Sequence, residues 1–225
     1  MSEKNEKTTT SSKLNGFLEK NRKPVLITFV VLIVLVLGFV CFEIITLTAS
    51  KKNLAAVESY YYNLMADSNS LDDAELAKKS TECIENLASY TKKGGIAGVR
   101  ANMLSAELAY ILKDYDGAIT YYDAAIAKGK KSYTAPICMY NKASCLEELG
   151  KTAEAVEAYR AAAEFKDFGM AAHAYFSLGR TLEAQADFEG AAQAYQTIID
   201  KFTDDEWGNL AHTRLIELKS QGKIQ

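Results

Sequence analysis

The sequence predicts an all-α protein: a single N-terminal transmembrane helix, then an α-solenoid of helical hairpins closed by a C-terminal capping helix. Three observations carry this prediction. Residues 25–42 read VLITFVVLIVLVLGFVCF, eighteen positions without a charge. Beyond them, long stretches with helical periodicity alternate with short polar or glycine-containing breaks, and strand-like alternation is nearly absent. Within those stretches three segments superimpose at spacings of 37 and then 36 residues, a period that signals stacked repeats.

The N-terminal 24 residues are polar and carry Lys4, Lys7, Lys13, Lys20, Arg22 and Lys23 against three acids, a basic tail expected to be disordered and cytoplasmic. The apolar run then extends to residue 47, interrupted by Glu43. Eighteen to twenty-three helical residues span about 27–34 Å, which matches a bilayer core of about 30 Å. A core strand does not run this long. A cleaved signal peptide is the nearer competitor, but its apolar region is normally about 7–15 residues and ends in small side chains. Here Leu47 stands three positions before the candidate bond after Ala49. Four basic residues close before the span against Lys51 and Lys52 after it favour a cytoplasmic N-terminus. The rest of the chain, residues 50–225, then lies on the outer side of the membrane. The inverted topology is the alternative.

Composition narrows the function classes. The chain has 225 residues, 48% apolar and 24% charged, with a net charge of −3. The part beyond the span holds twenty basic and twenty-five acidic residues, so no field attracts nucleic acid. Four cysteines have neither zinc spacing nor a disulfide framework. Cys138 and Cys145 lie seven residues apart on one helix, about 10.5 Å along its axis, too far to bridge; a Cys83 pairing stays open. His173 and His212 are 39 residues apart with no metal-ligand motif. No nucleophile elbow, P-loop or dinucleotide fingerprint is present, so neither catalysis, a metal nor a cofactor is expected.

Element by element, residues 51–92 read as a degenerate helical hairpin whose second helix opens at Leu71, Asp72 and Asp73, with acids at the positive helix end. Three hairpins follow at about 97–132, 135–168 and 171–202. Their second helices are DYDGAITYYDAAI, KTAEAVEAYRAAA and DFEGAAQAYQTII. A small residue recurs at Ala118, Ala155 and Ala191, and a tyrosine four positions later at Tyr122, Tyr159 and Tyr195. Small residues let antiparallel helices approach, and each tyrosine fills the gap toward the next unit. One hairpin cannot bury its apolar face alone, so neighbours must stack. Leu178 and Gly179 hold the matching close approach on a first helix. Residues 205–221 suit a capping helix, with Leu210, Leu215 and Leu218 on one face and Asn209, Arg214, Glu217 and Lys219 elsewhere.

These segments resemble tetratricopeptide repeats, with Leu178 and Gly179 of the first helix and the Ala and Tyr of the second in register over residues 97–202. The repeat-closing proline is absent. A membrane anchor, a degenerate hairpin and three such repeats resemble the bacterial periplasmic ancillary subunit of the Sec translocon, which is implicated in handing exported proteins to periplasmic chaperones. The final repeat also resembles those of outer-membrane assembly lipoproteins and of a division-coordinating periplasmic protein. The resemblance implies that first helices line a ligand groove. By register it assigns Arg100, Met103, Leu104, Glu107 and Tyr110, then Ile137, Tyr140, Asn141, Ser144 and Glu147, then His173, Phe176, Ser177, Arg180 and Glu183. Of these, Arg100, Tyr110, Tyr140, Asn141, Ser144, His173, Phe176 and Arg180 are the expected protein-binding set. Only Asn141 falls where a clamp for a C-terminal carboxylate would need it, so that mode is not expected. The implied partners are proteins or peptides, among them translocon subunits and chaperones, besides the lipid bilayer; a self-associating, envelope-organising protein is the alternative.

Overall fold

The computed structural model describes residues 15–202 and 206–225. The expectations for residues 1–14, and for the break and helix start at Thr203 and Asp205, lie outside the described residues. Contacts divide the chain into two compact units, Met1–Ala49 and Ser50–Gln225. Helix α1 (Arg22–Asp67) carries both the apolar run and the first helix expected after residue 51.

In the first unit the apolar side chains point outward: Leu35, Phe39 and Ile45 are each at least 63% exposed. The helix contains an 18-residue window of mean hydropathy 3.3 with none of it buried, so it is long and apolar enough to cross a membrane. Its polar side chains are satisfied within the helix, since the hydroxyls of Thr28 and Thr48 donate to the carbonyls of Pro24 and Ile44 at 2.9 and 2.8 Å. Pro24 sits in the first turn, where a missing N–H costs nothing.

The second unit is a run of antiparallel helices. Helix α2 (Asp73–Thr91) is followed by three hairpins: α3 (Gly95–Ile111) with α4 (Tyr115–Lys128), α5 (Thr134–Glu148) with α6 (Thr152–Ala163), and α7 (Ala171–Ala184) with α8 (Phe188–Lys201). Helix α9 (Glu206–Ser220) closes the array. From α2 onward each helix packs on its neighbours in chain order, and α3 also touches α5 as α7 touches α9. No strand occurs among the described residues.

Local chemistry sets the boundaries. Asp72, Asp114 and Asp187 cap α2, α4 and α8 by accepting from the backbone N–H three residues on, at 2.8, 3.0 and 3.0 Å. Gly117 and Gly190 follow from those caps: a Cβ there would meet the capping carboxylate at 2.1 and 2.5 Å. The turn inside each hairpin passes through one left-handed residue, Lys113, Gly150 and Ala186 in turn. Asn102 ties α3 to the end of α2, its side-chain amide donating to the carbonyls of Thr91 and Gly98.

The core runs along the array in linked clusters. Val57, Leu64, Cys83 and Leu87 pack on Leu104 and Leu108; Tyr122 packs with Cys138 and Cys145; Tyr159, Leu178, Tyr195, Ile198 and Leu218 form the third. The four cysteines are unbridged thiols. One expectation is corrected in α9: Leu210 is 47% exposed, and the buried stripe runs through Ala211 and Leu218. Positions 211 and 218 are seven apart and share a helix face, whereas 210 is turned about 100° from 211.

Candidate protein-binding groove

First helices meet across the hairpins of the second unit: α3 touches α5, α7 touches α9, and Tyr140 of α5 reaches His173 and Ser177 of α7. Within the hairpins, alanine and glycine allow close packing. Ala118, Ala155 and Ala191 are fully buried, as are Tyr122, Tyr159, Tyr195 and Leu178 to within 2%. At Gly179 a Cβ would lie 2.5 Å from the Tyr195 ring.

The hydroxyls of two of these tyrosines are anchored the same way. Tyr159 donates to Glu147 at 2.7 Å, and the same carboxylate accepts from Arg180 at 2.7 Å and from Thr181 at 2.8 Å. Tyr195 donates to Glu183 at 2.6 Å, and Glu183 accepts a two-pronged contact from Arg214. Each clamp joins a first helix, its own second helix and the following unit. The paired geometry of guanidinium and carboxylate gives these contacts direction as well as strength. Burial pushes the Tyr159 and Tyr195 hydroxyls well above the ordinary phenol range, and the adjoining carboxylates push further.

The eight expected groove residues fall into four settings. Tyr140, His173 and Phe176 come together in an aromatic block with Trp207 of α9. The Tyr140 hydroxyl lies 2.9 Å from His173 Nε2 and 3.2 Å from Ser177 Oγ; His173 stacks on Trp207 at 4.2 Å; Phe176 touches Trp207 at 5.1 Å. Arg180 belongs to the Glu147 clamp, and Ser144 reaches it through the Tyr159 hydroxyl at 3.1 Å. Arg100 is forked onto Glu58 of α1 at 2.6 and 2.9 Å.

Tyr110, Asn141 and Ser144 line a cavity of about 320 Å³ together with Glu107, Ile111 and Tyr122. Tyr110 is 37% exposed and meets Tyr115 edge-on. Burial pushes the Glu107 carboxyl up, while a hydrogen bond from Tyr61 and the charge of Arg100 draw it back. Three positions assigned to the groove by register are buried instead: Met103, Leu104 and Ser177 are 6%, 1% and 6% exposed. Leu104 is covered by α2 and the end of α1, Met103 packs with Tyr122 and Cys138 of α4 and α5, and Ser177 lies beneath the Tyr140 hydroxyl.

From sequence, Trp207 and Thr181 are not predicted, Arg214 falls only on the polar side of the last helix, and Glu147 and Glu183 enter only by register. The available signal was the constant twelve-residue step from each of these glutamates to a tyrosine. Among the described residues no group of His, Cys, Asp or Glu is arranged to hold a metal ion.

Stacked hairpins with tyrosine-filled joints, and one face built by the first helix of each, define a helical-repeat interaction scaffold. The profile of the tetratricopeptide repeat family matches residues 84–133 and 140–206, more than half of the chain, and the chain belongs to that family. A TPR repeat-containing protein of Treponema pallidum (strain Nichols) is 30% identical over 151 residues, which cover 67% of this chain and 61% of that relative's length. Among solved structures, a kinesin-light-chain-type protein of Podosopora anserina, built of nearly identical TPR-like repeats, aligns over 74% of this chain and 87% of its own. Its TM-score is 0.59 at 10% identity. BtubC of P. vanneervenii aligns over 70% of this chain and 66% of its own, with TM-score 0.57 at 17% identity. At these identities the structural likeness concerns the fold.

Proposed function

We propose that this chain is a membrane-anchored scaffold whose groove binds protein or peptide segments beside a bacterial cytoplasmic membrane. The observation that carries the reading is the combination of one exposed apolar helix with a repeat face that presents a half-buried aromatic block and an adjoining cavity. Aromatic and arginine side chains supply most of the energy in such interfaces. Tethering holds the groove close to membrane-bound partners, so its effective concentration there makes weak contacts sufficient. The basic flank of the apolar helix supports a cytoplasmic N-terminus and a periplasmic repeat domain. In that compartment the resemblance to the Sec-associated subunit favours exported chains, translocon subunits and chaperones as partners, with roles in export, folding or envelope assembly.

Photocrosslinkers at Tyr110 and Asn141 in intact cells test this, because both line the cavity and neither belongs to an ion pair. Adducts to translocon subunits, chaperones or exported proteins support the reading. Adducts confined to a second copy of the chain, or to envelope-organising proteins, overturn the client-handling role in favour of a self-associating structural protein. A periplasm-dependent phosphatase fused after Gln225 is expected to be active, and an inactive fusion of normal abundance overturns the topology.

A further inference from the structure

The two Glu–Tyr–Arg clamps occupy equivalent places in the repeat. Glu147 and Glu183 are 36 residues apart, as are Tyr159 and Tyr195, while Arg180 and Arg214 follow at 34. Stepping back by one repeat from Glu147, Tyr159 and Arg180 reaches Tyr110, Tyr122 and Ser144. The tyrosine of the joint is kept, but its glutamate has become tyrosine and the arginine of the next repeat has become serine. At this joint a cavity of about 320 Å³ opens, at the lower end of the roughly 300–1,000 Å³ typical of ligand sites.

Its lining suits a cation. Glu107 supplies a carboxyl, Tyr122 a buried hydroxyl in contact with the Asn141 side chain, Ser144 a hydroxyl, and Tyr110 an exposed ring edge. Glu148, exposed, lies within electrostatic reach of Tyr110 and Tyr115. Arg100, whose charge reaches Glu107, is forked onto Glu58, and Tyr61 donates to the Glu107 carboxylate. A guanidinium entering here meets acceptors and an aromatic face, the partners that arginine prefers.

We propose that the cavity between the first and second repeats is a subsite for an arginine side chain of a bound peptide, which takes the place that Arg180 and Arg214 fill at the later joints. This rests on the reading of the repeat face as a peptide-binding groove, and gives it a sequence preference.

The test uses the full chain in detergent micelles with ¹³C-labelled tyrosine rings. The probe is N-acetyl-arginine methylamide, and its neutral isostere N-acetyl-citrulline methylamide is the control. The arginine probe is expected to shift the Tyr110 and Tyr122 signals saturably, with the citrulline probe at least about tenfold weaker, a difference of about 1.4 kcal/mol. Glu107→Gln is expected to weaken the arginine probe by a similar factor. Ser144→Arg, which supplies the guanidinium from within the chain, is expected to abolish the response. Equal binding of the two probes, or an undiminished response in folded Ser144→Arg, overturns the subsite. If Glu107→Gln fails to fold, the citrulline comparison and Ser144→Arg still decide. Crosslinked partners without arginine binding refute the subsite and leave the groove standing; arginine binding without crosslinked partners does the reverse.

Discussion

Replacing Gly179 by alanine sets two effects of opposite sign against each other. In an exposed helix interior the change is favourable by about 1 kcal/mol, since alanine loses less backbone entropy than glycine. In α7 the new methyl would lie 2.5, 2.8 and 3.0 Å from the Cε1, Cζ and Cδ1 atoms of Tyr195. That ring is fully buried and braced by Phe176 at 5.4 Å, with its hydroxyl donating to Glu183 at 2.6 Å. It cannot retreat without breaking the clamp that holds Arg214. Overpacking costs about 1–3 kcal/mol, and a contact at 2.5 Å against a braced ring takes the upper half of that range, so after the helix gain a net destabilisation of about 1–2 kcal/mol is expected. For a unit of this size that lowers Tm by roughly 2–8 °C. Thermal and urea unfolding of the full chain in micelles, followed by circular dichroism, measures it. Gly179→Ala as stable as the parent, or more stable, refutes the argument. A Tyr195→Leu background isolates the cause: there the glycine substitution should cost less than about 0.5 kcal/mol, and an unchanged penalty would clear the ring of responsibility.

Further outcomes follow from the clamps, the turns and the thiols. Glu183→Ala should cost about 2–3 kcal/mol in urea unfolding, because the Tyr195 hydroxyl loses its acceptor. Glu147→Ala should cost less, since the Tyr159 hydroxyl keeps Ser144 at 3.1 Å and Arg180 is half in water; the reverse order would count against this account. Ala186→Gly should raise stability by about 0.5–1 kcal/mol by releasing a left-handed alanine, and a loss would show that its φ of 62° carries no strain. Burial pushes the Cys138 thiol up to about 12 and the Cys145 thiol to about 11. Both pKa values are raised on folding, so the folded chain binds more protons than the unfolded one above the ordinary thiol value near 9. Stability is therefore full below that value and falls as pH rises from there toward 11 and 12. The urea midpoint should drop between pH 8 and pH 10, less so in Cys138→Ala; a midpoint that rises with pH contradicts the sign.

Much of the helical array was legible because it repeats. Ala118, Ala155 and Ala191 and their three tyrosines signal stacking by periodicity alone, since a small residue and a ring four positions apart serve one joint. Local punctuation was less evenly readable. Gly150 announces its turn, yet Lys113 and Ala186 hold the same left-handed place without being glycine, because the surrounding helices over-determine the backbone there. Asp114 and Asp187 aligned visibly, but their role as caps depends on backbone N–H groups, which have no letter in a sequence. The candidate site was the hardest part. Register alone cannot say whether a polar residue on a first helix faces a ligand or a neighbouring repeat, because that depends on partners about 33 residues away.

That ambiguity resolves into a rule about where such an array can bind. A polar residue on the inner face either satisfies another repeat or remains available to a ligand, and the carboxylate of Glu147 already serves three donors. Arg180 and Arg100 are likewise engaged by glutamates of the same chain. Their loss would loosen the solenoid before it weakened a ligand, so a binding defect in either variant reports stability as much as recognition. Tyr110, Asn141 and Ser144 are different: they line the one joint whose clamp lacks both its glutamate and its arginine, where substitution disturbs no ion pair. Recognition in this protein should therefore be sought where the repeat pattern is broken, and variants of the exposed Tyr110 should change ligand preference while leaving the unfolding free energy within about 0.5 kcal/mol of the parent.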